Sequence, residues 1–143
     1  MKVALLISGY LRSFKLNLPS IKSKIIDKFG KVDVYIHITK NENEDKYLNN
    51  NTECDIINFI NQSLNPICLL YEPNIFYSHN KKVNDMMNLW SKYYKLNEIK
   101  KINETKESLY DIVIKYRPDM DILSDIDYNF IRSIGLSIFQ KIR

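Results

Sequence analysis

The sequence predicts one three-layer α/β domain built on a mostly parallel sheet. Three observations predict it. Four short runs of aliphatic and aromatic residues, VALLISG, VDVYIHI, PICLLYE and YDIVIKY, recur along the chain. They show little polar alternation, the pattern of strands buried on both faces. Between them lie segments whose apolar residues fall at helical spacing, and strict alternation of strand and helix favours parallel strands covered by helices on both sides. The 143 residues suffice for one such domain with a real core, and not for two.

Each element has its own signals. VALLISG, residues 3–9, is a continuous apolar strand closed by glycine. In the helical segment after it, Phe14, Leu18, Ile21, Ile25 and Phe29 form one stripe, and Gly30 is the expected stop. Pro19 places the helix start near itself, because proline is tolerated in a first turn. VDVYIHI is the second strand, and the polar, aperiodic TKNENEDKYLNNNT reads as an uncapped, mobile loop. ECDIINFINQSL is a short helix, PICLLYE the third strand and PNIFYSHNKK a loop. The longest helix is expected from about Val83 to Asn103, with Met86, Trp90, Tyr94 and Asn97 on one stripe facing the core. YDIVIKY is the fourth strand, central in the sheet or nearly so, with Ile112 and Ile114 buried on one face and Val113 on the other. Pro118 cannot donate to a central ladder, so this strand ends by Arg117. Right-handed crossovers then give a Rossmann-like arrangement.

Composition narrows the function. The net charge of +4 is mild, and the lysines are interspersed with glutamates rather than gathered into a basic arm, which argues against nucleic acid. No apolar run approaches the roughly 18 residues of a membrane span. The opening MKVALLISGY stops at Gly9 without a small-residue cleavage site, so it reads as a strand rather than a leader. Cys54 and Cys68 have no metal-ligand spacing and read as reduced thiols of a cytoplasmic protein.

In parallel α/β sheets, ligands bind beyond the carboxyl ends of the strands. That rule selects SGYLRS, HITKNEN, YEPNIFYSHN and RPDMDILSD. Gly9 permits a tight turn or close backbone approach, and Arg12 beside it suits a phosphate, although a surface arginine at a helix start explains it equally well. No G-x-G-x-x-G and no P-loop is present. Arg117, Asp119 and Asp121 lie at the end of the fourth strand. In an extended chain Asp119 and Asp121 project to one side, where two carboxylates repel unless a cation such as Mg²⁺ or Mn²⁺ lies between them. The plainer alternative is a solvated acidic turn, since Asp125 and Asp127 continue the run. His37 ends the second strand and reads first as a structural histidine; Asn97 extends its stripe toward the crevice. With two histidines in the chain, no Ser-His-Asp, Cys-His or zinc constellation is apparent.

The ordered set VALLISGYLRSF, VDVYIHI, MMNLWSKYYKLNEIKK and YDIVIKYRPDMDI resembles a group of viral and bacterial glycosyltransferase-like proteins of the GT-A type. The resemblance spans roughly the whole chain. It implies a metal-dependent transfer of sugar from a UDP- or GDP-sugar to a glycan or protein acceptor, with Mn²⁺ or Mg²⁺ as cofactor. It implies that Gly9 and Arg12 lie at the donor nucleotide, that His37 lies near its base or ribose, and that Asp119 occupies the metal-binding acidic position. Asp121 completes a D-x-D here, and Arg117 holds the carboxylates in place. Such enzymes continue well past the acidic motif to build the acceptor site. The resemblance therefore covers the N-terminal, donor-binding half, and residues 1–143 are expected to form one C-terminally truncated domain. The alternative is a non-catalytic remnant that binds a nucleotide or a partner protein. A phosphohydrolase using the aspartate pair fits less well, because its D-x-D belongs on the first strand.

Overall fold

The computed structural model describes residues 1–40, 52–105, 108–125, 127 and 129. Four strands, β1 (Val3–Gly9), β2 (Val32–Thr39), β3 (Cys68–Glu72) and β4 (Ile112–Tyr116), form one sheet in the order β3-β2-β1-β4. All three pairings are parallel, with Val3 opposite both Val32 and Ile112. Helix α1 (Phe14–Ile21) runs through a π-helical turn (Lys22–Ile26) into a last α-turn (Asp27–Phe29). Helices α2 (Glu53–Leu64) and α3 (Lys81–Ile102) complete the alternation. The α/β class and the parallel sheet expected from the sequence are what is observed.

The sheet is covered on both faces. Val3, Leu5 and Ile7 pack under α1 and α2, against Phe14, Ile21, Ile25, Phe29, Ile56, Ile60 and Leu64. Ala4, Leu6 and Tyr35 pack on the other face against Tyr93 and Leu96 of α3. All seven residues of β1 are buried, as the unbroken apolar run demands. Each such aliphatic side chain contributes about 1.5–3 kcal/mol by leaving water.

Four expectations are corrected. The first helix begins at Phe14, so Pro19 lies inside it rather than at its start. Pro19 offers no N–H to the carbonyl of Lys15 and crowds it. Within a turn the helix widens into the π segment, a usual response to a disrupted ladder. Second, Thr52 does cap a helix: its hydroxyl accepts from Asp55 N–H at 3.3 Å, and the Asp55 carboxylate accepts from Thr52 N–H at 3.0 Å. The rest of the expected mobile loop, residues 41–51, lies outside the described residues.

Third, the buried face of α3 is formed by Asn88, Lys92, Tyr93, Leu96 and Lys100. The Met86, Trp90 and Tyr94 stripe points away from the sheet, each more than half exposed at 51%, 58% and 68%. Two apolar stripes compete on this helix, and the one that meets Ala4, Leu6 and Tyr35 takes the core. Fourth, β4 is the edge of the four described strands rather than central. Its Ile112 and Ile114 face the α1–α2 core, but Val113 is 41% exposed because α3 packs over β1 and β2. The strand ends at Tyr116, before Pro118, as expected.

Candidate functional site

The winding direction reverses at β1. The chain moves outward from β1 through β2 to β3, then crosses back to place β4 on the other side. The loops leaving β1 and β4 meet, Asn17 and Arg12 reaching Pro118 and Asp119, and a crevice opens beside them at the carboxyl edge. It has a volume of about 390 Å³. Gly9, Tyr10 and Arg12 enter it from β1, Thr39 from β2, Asn74 from the loop after β3 and Arg117 from the end of β4. The first turns of α3 add Lys82, Asp85, Met86, Asn88 and Leu89.

The loop after β1 is tightly specified. Gly9 has φ +136°, and a Cβ on it would lie 3.3 Å from the Pro118 ring. The β1 and β4 loops thus approach as closely as a glycine allows. Asn17 Nδ2 donates to the Pro118 carbonyl at 2.9 Å and ties α1 to the same point. Arg12 itself has φ +21°, a conformation that costs a residue with a Cβ.

The two arginines converge on one carboxylate. Arg12 Nη1 lies 3.3 Å from Asp119 Oδ2. Arg117 donates through Nε to Oδ1 at 3.1 Å and through Nη2 to Oδ2 at 2.9 Å. The Asp119 side chain is 10% exposed, while those of Arg12 and Arg117 are 43% and 42% exposed. The carboxylate is covered and the guanidinium groups remain accessible.

Asp119 and Asp121 do not act as an extended-chain pair. The chain turns after β4, with Met120 N–H donating to the Arg117 carbonyl at 3.2 Å, and this turn breaks the two-residue alternation. Asp121 is exposed and accepts from the adjacent Ile122 N–H at 2.8 Å. As placed, the pair does not fit a divalent ion: the suitably enclosed carboxylate already accepts from two cations. Among the described residues, no group of three or more His, Cys, Asp or Glu side chains gathers as a metal site.

His37 lies apart from the crevice. It lines a neighbouring cavity of about 350 Å³ with Glu72, Lys92 and Lys95. Burial pulls its pKa down to about 4, against the opposing pull of Glu72. The ring is therefore neutral near pH 7, and Nε2–H donates to Glu72 Oε2 at 2.9 Å as a hydrogen bond rather than an ion pair. That assignment leaves Nδ1 as an acceptor without a partner. The buried Ser8 hydroxyl, on the register partner of His37, is likewise unpaired. Ser8, His37 and Glu72 are the residue types of a nucleophilic triad, but Ser8 has no exposed surface and lines neither cavity. Asn97 is half-buried on α3, roughly 13 Å along the axis from Asn88, and also lines neither cavity.

Several residues of the crevice escape the motif reading. Asn88 accepts from Ile75 N–H and donates to the Ile75 carbonyl, both at 2.8 Å, clamping the loop after β3 onto α3. Asn84 accepts from Tyr77 N–H at 2.7 Å, and Asn80 caps the helix. Asn74 Nδ2 donates to the Tyr10 hydroxyl at 2.9 Å. Lys82, exposed, and Asp85, half-buried, stand at the crevice because a helix that follows a parallel strand starts at the carboxyl edge. That geometric rule was the signal available for them.

No family model matches the chain, and comparison with curated proteins and solved structures finds no match. The glycosyltransferase resemblance rests on the ordered motifs alone. Among the described residues, no helix is long and apolar enough to cross a membrane.

Proposed function

We propose that the protein binds a nucleotide sugar at the β1–β4 crevice and transfers the sugar, as a glycosyltransferase of the kind its motifs resemble. The observation that carries the reading is the pair Arg12 and Arg117, presented together at the switch point of a parallel sheet. Lys82 adds a third cation to the rim, against Asp85 and the covered Asp119. Planar guanidinium groups suit the oxygens of a diphosphate, and a leaving UDP or GDP carries its developing charge there. Asp85 is the carboxylate on the crevice wall and the best-placed group to accept an acceptor hydroxyl's proton. Mn²⁺ or Mg²⁺ belongs to this reading only as an ion brought with the diphosphate, since Asp119 is held by Arg12 and Arg117. The acceptor class, glycan or protein, follows the same resemblance, and a cytoplasmic location follows the reading of Cys54 and Cys68 as reduced thiols.

A second reading is a donor-binding remnant that holds the nucleotide without transfer. Among the described residues β4 is the sheet edge and Val113 is exposed, which favours it by offering an edge and a face to a further element or partner. Calorimetric titration with UDP- and GDP-sugars, followed by an assay for free UDP or GDP, separates the two. Saturable binding with sugar release supports transfer, binding alone supports the remnant, and absence of binding to every nucleotide sugar overturns both.

A further inference from the structure

Below the crevice floor lies a charge that the motif residues do not account for. Lys92 is 4% exposed on the inner face of α3. Its Nζ donates to Thr39 Oγ1 at 2.7 Å and to Asn74 Oδ1 at 2.5 Å. Both acceptors are neutral, and both line the crevice. Among the described residues no carboxylate touches the ammonium; Glu72 attracts it from a longer range. A buried ammonium held only by neutral oxygens is costly, and proteins normally match such a charge with an opposite one. Thr39 and Asn74 stand between this cation and the space proposed for the diphosphate.

We propose that Lys92 is the buried counter-charge for the anionic ligand of the crevice. The inference rests on the reading of the crevice as a nucleoside diphosphate site. It makes Lys92 a positioning residue, acting through Thr39 and Asn74 and through its field, which a low-dielectric interior weakens less than water does.

The consequence is a linkage between ligand and proton. Burial lowers the Lys92 pKa to about 8 in the free protein, with Glu72 opposing. A bound diphosphate favours the charged form and raises that pKa, so binding takes up a proton where free Lys92 is partly neutral. Near pH 6.5 Lys92 is already charged and uptake from it is close to zero. Above about pH 8 uptake grows, and affinity falls by up to about tenfold per pH unit until the bound-state pKa is passed. The other groups facing Lys92 behave differently or can be tested directly. His37 on β2 is neutral throughout this range, and Glu72 on β3 remains ionised. Arg117 beyond β4, Tyr10 after β1, and Lys95 and Asp85 on α3 are controlled by the Lys92 variant. The nucleotide's own phosphate ionisation, near pH 6, is complete.

The experiment is calorimetric titration of the whole protein with UDP at several pH values, in two buffers of different ionisation enthalpy. Wild type should take up roughly half a proton or more per UDP near pH 8.5–9. Lys92→Met should lose that uptake and bind UDP about tenfold or more weakly at pH 7. Thr39→Val retains the lysine and should bind UDP more weakly while keeping the uptake. Proton uptake in wild type needs no variant to fold. UDP binding without alkaline proton uptake, or uptake that survives Lys92→Met, overturns the role of Lys92 while leaving the crevice intact. UDP that fails to bind at any pH overturns the diphosphate reading, and this inference with it.

Discussion

The two edges of the sheet are built differently. At the amino edge, polar groups answer one another. Tyr110 Oη donates to Asp33 Oδ2 at 2.6 Å and meets the buried Tyr35 hydroxyl at 2.7 Å. Lys2 Nζ lies 4.3 Å from the Tyr110 ring centroid and donates to Ser108 Oγ at 3.0 Å. Lys100 pairs with Glu104 at 2.8 Å, and Lys2 N–H donates to Asp111 at 2.6 Å. Among the described residues, the carboxyl edge holds Arg12 at positive φ, a buried Lys92 without a touching acid, and unpaired polar atoms on Ser8 and His37. One edge closes the fold. The other carries conformational and electrostatic cost beside a crevice, which is where proteins keep costs that serve a ligand.

The largest test of this contrast is acid stability. His37 has a folded pKa of about 4, below its ordinary 6.5, so the unfolded chain binds the proton more tightly. Folding stability is unaffected by His37 above pH 6.5 and falls by about 3 kcal/mol as pH drops from 6.5 to 4. Denaturant unfolding across that range, with His37→Gln for comparison, should show the variant losing most of this slope. Parallel curves for the two proteins would remove His37 as the origin.

At the amino edge, Tyr110→Phe strips a partner from the buried Tyr35 hydroxyl and from Asp33, and should cost about 2 kcal/mol of stability. UDP affinity should not change. A variant that is stable but binds UDP more weakly would mean that the two edges are coupled.

At the carboxyl edge, Arg12→Ala should weaken UDP binding by about 1.5–3 kcal/mol, at least tenfold, with little loss of stability. Titration gives the first number and thermal melting the second. Equal UDP affinity in wild type and variant would place Arg12 outside the site.

The smallest effect isolates backbone cost. Arg12→Gly and Arg12→Ala both lose the guanidinium, but glycine accepts φ +21° more readily, so Arg12→Gly should be more stable than Arg12→Ala by up to about 1 kcal/mol. The reverse order would show that the loop relaxes without cost.

The sequence made the sheet legible because a strand buried on both faces has no polar alternation to hide it, and VALLISG is such a strand over its whole length. The helix stripe from Phe14 to Phe29 was legible for the same reason: it has one apolar face and no rival. On α3 two faces are apolar, and periodicity cannot say which meets the sheet. The edge position of β4 was hidden because the face toward α1 and α2 is apolar in edge and central strands alike. Gly9, Arg12 and Arg117 were found by the carboxyl-edge rule. Asp119 and Asp121 were paired by assuming extended chain, and the turn after β4 removes that premise. The asparagines carry no motif signal in the sequence, yet Asn17, Asn74, Asn84 and Asn88 make specific bonds around the crevice. Lys92 was one lysine among many until the buried face of α3 was known.

The central claim is that ligand chemistry belongs to the carboxyl edge and structural closure to the amino edge. Backbone amide NMR shifts on addition of UDP test it most directly. The account predicts perturbations in Gly9–Ser13, Asn74, Lys82–Leu89 and Arg117–Met120, with Lys2, Asp33 and Tyr110 unmoved. Perturbations centred on Lys2, Asp33 and Tyr110, or none at saturating UDP, would contradict it.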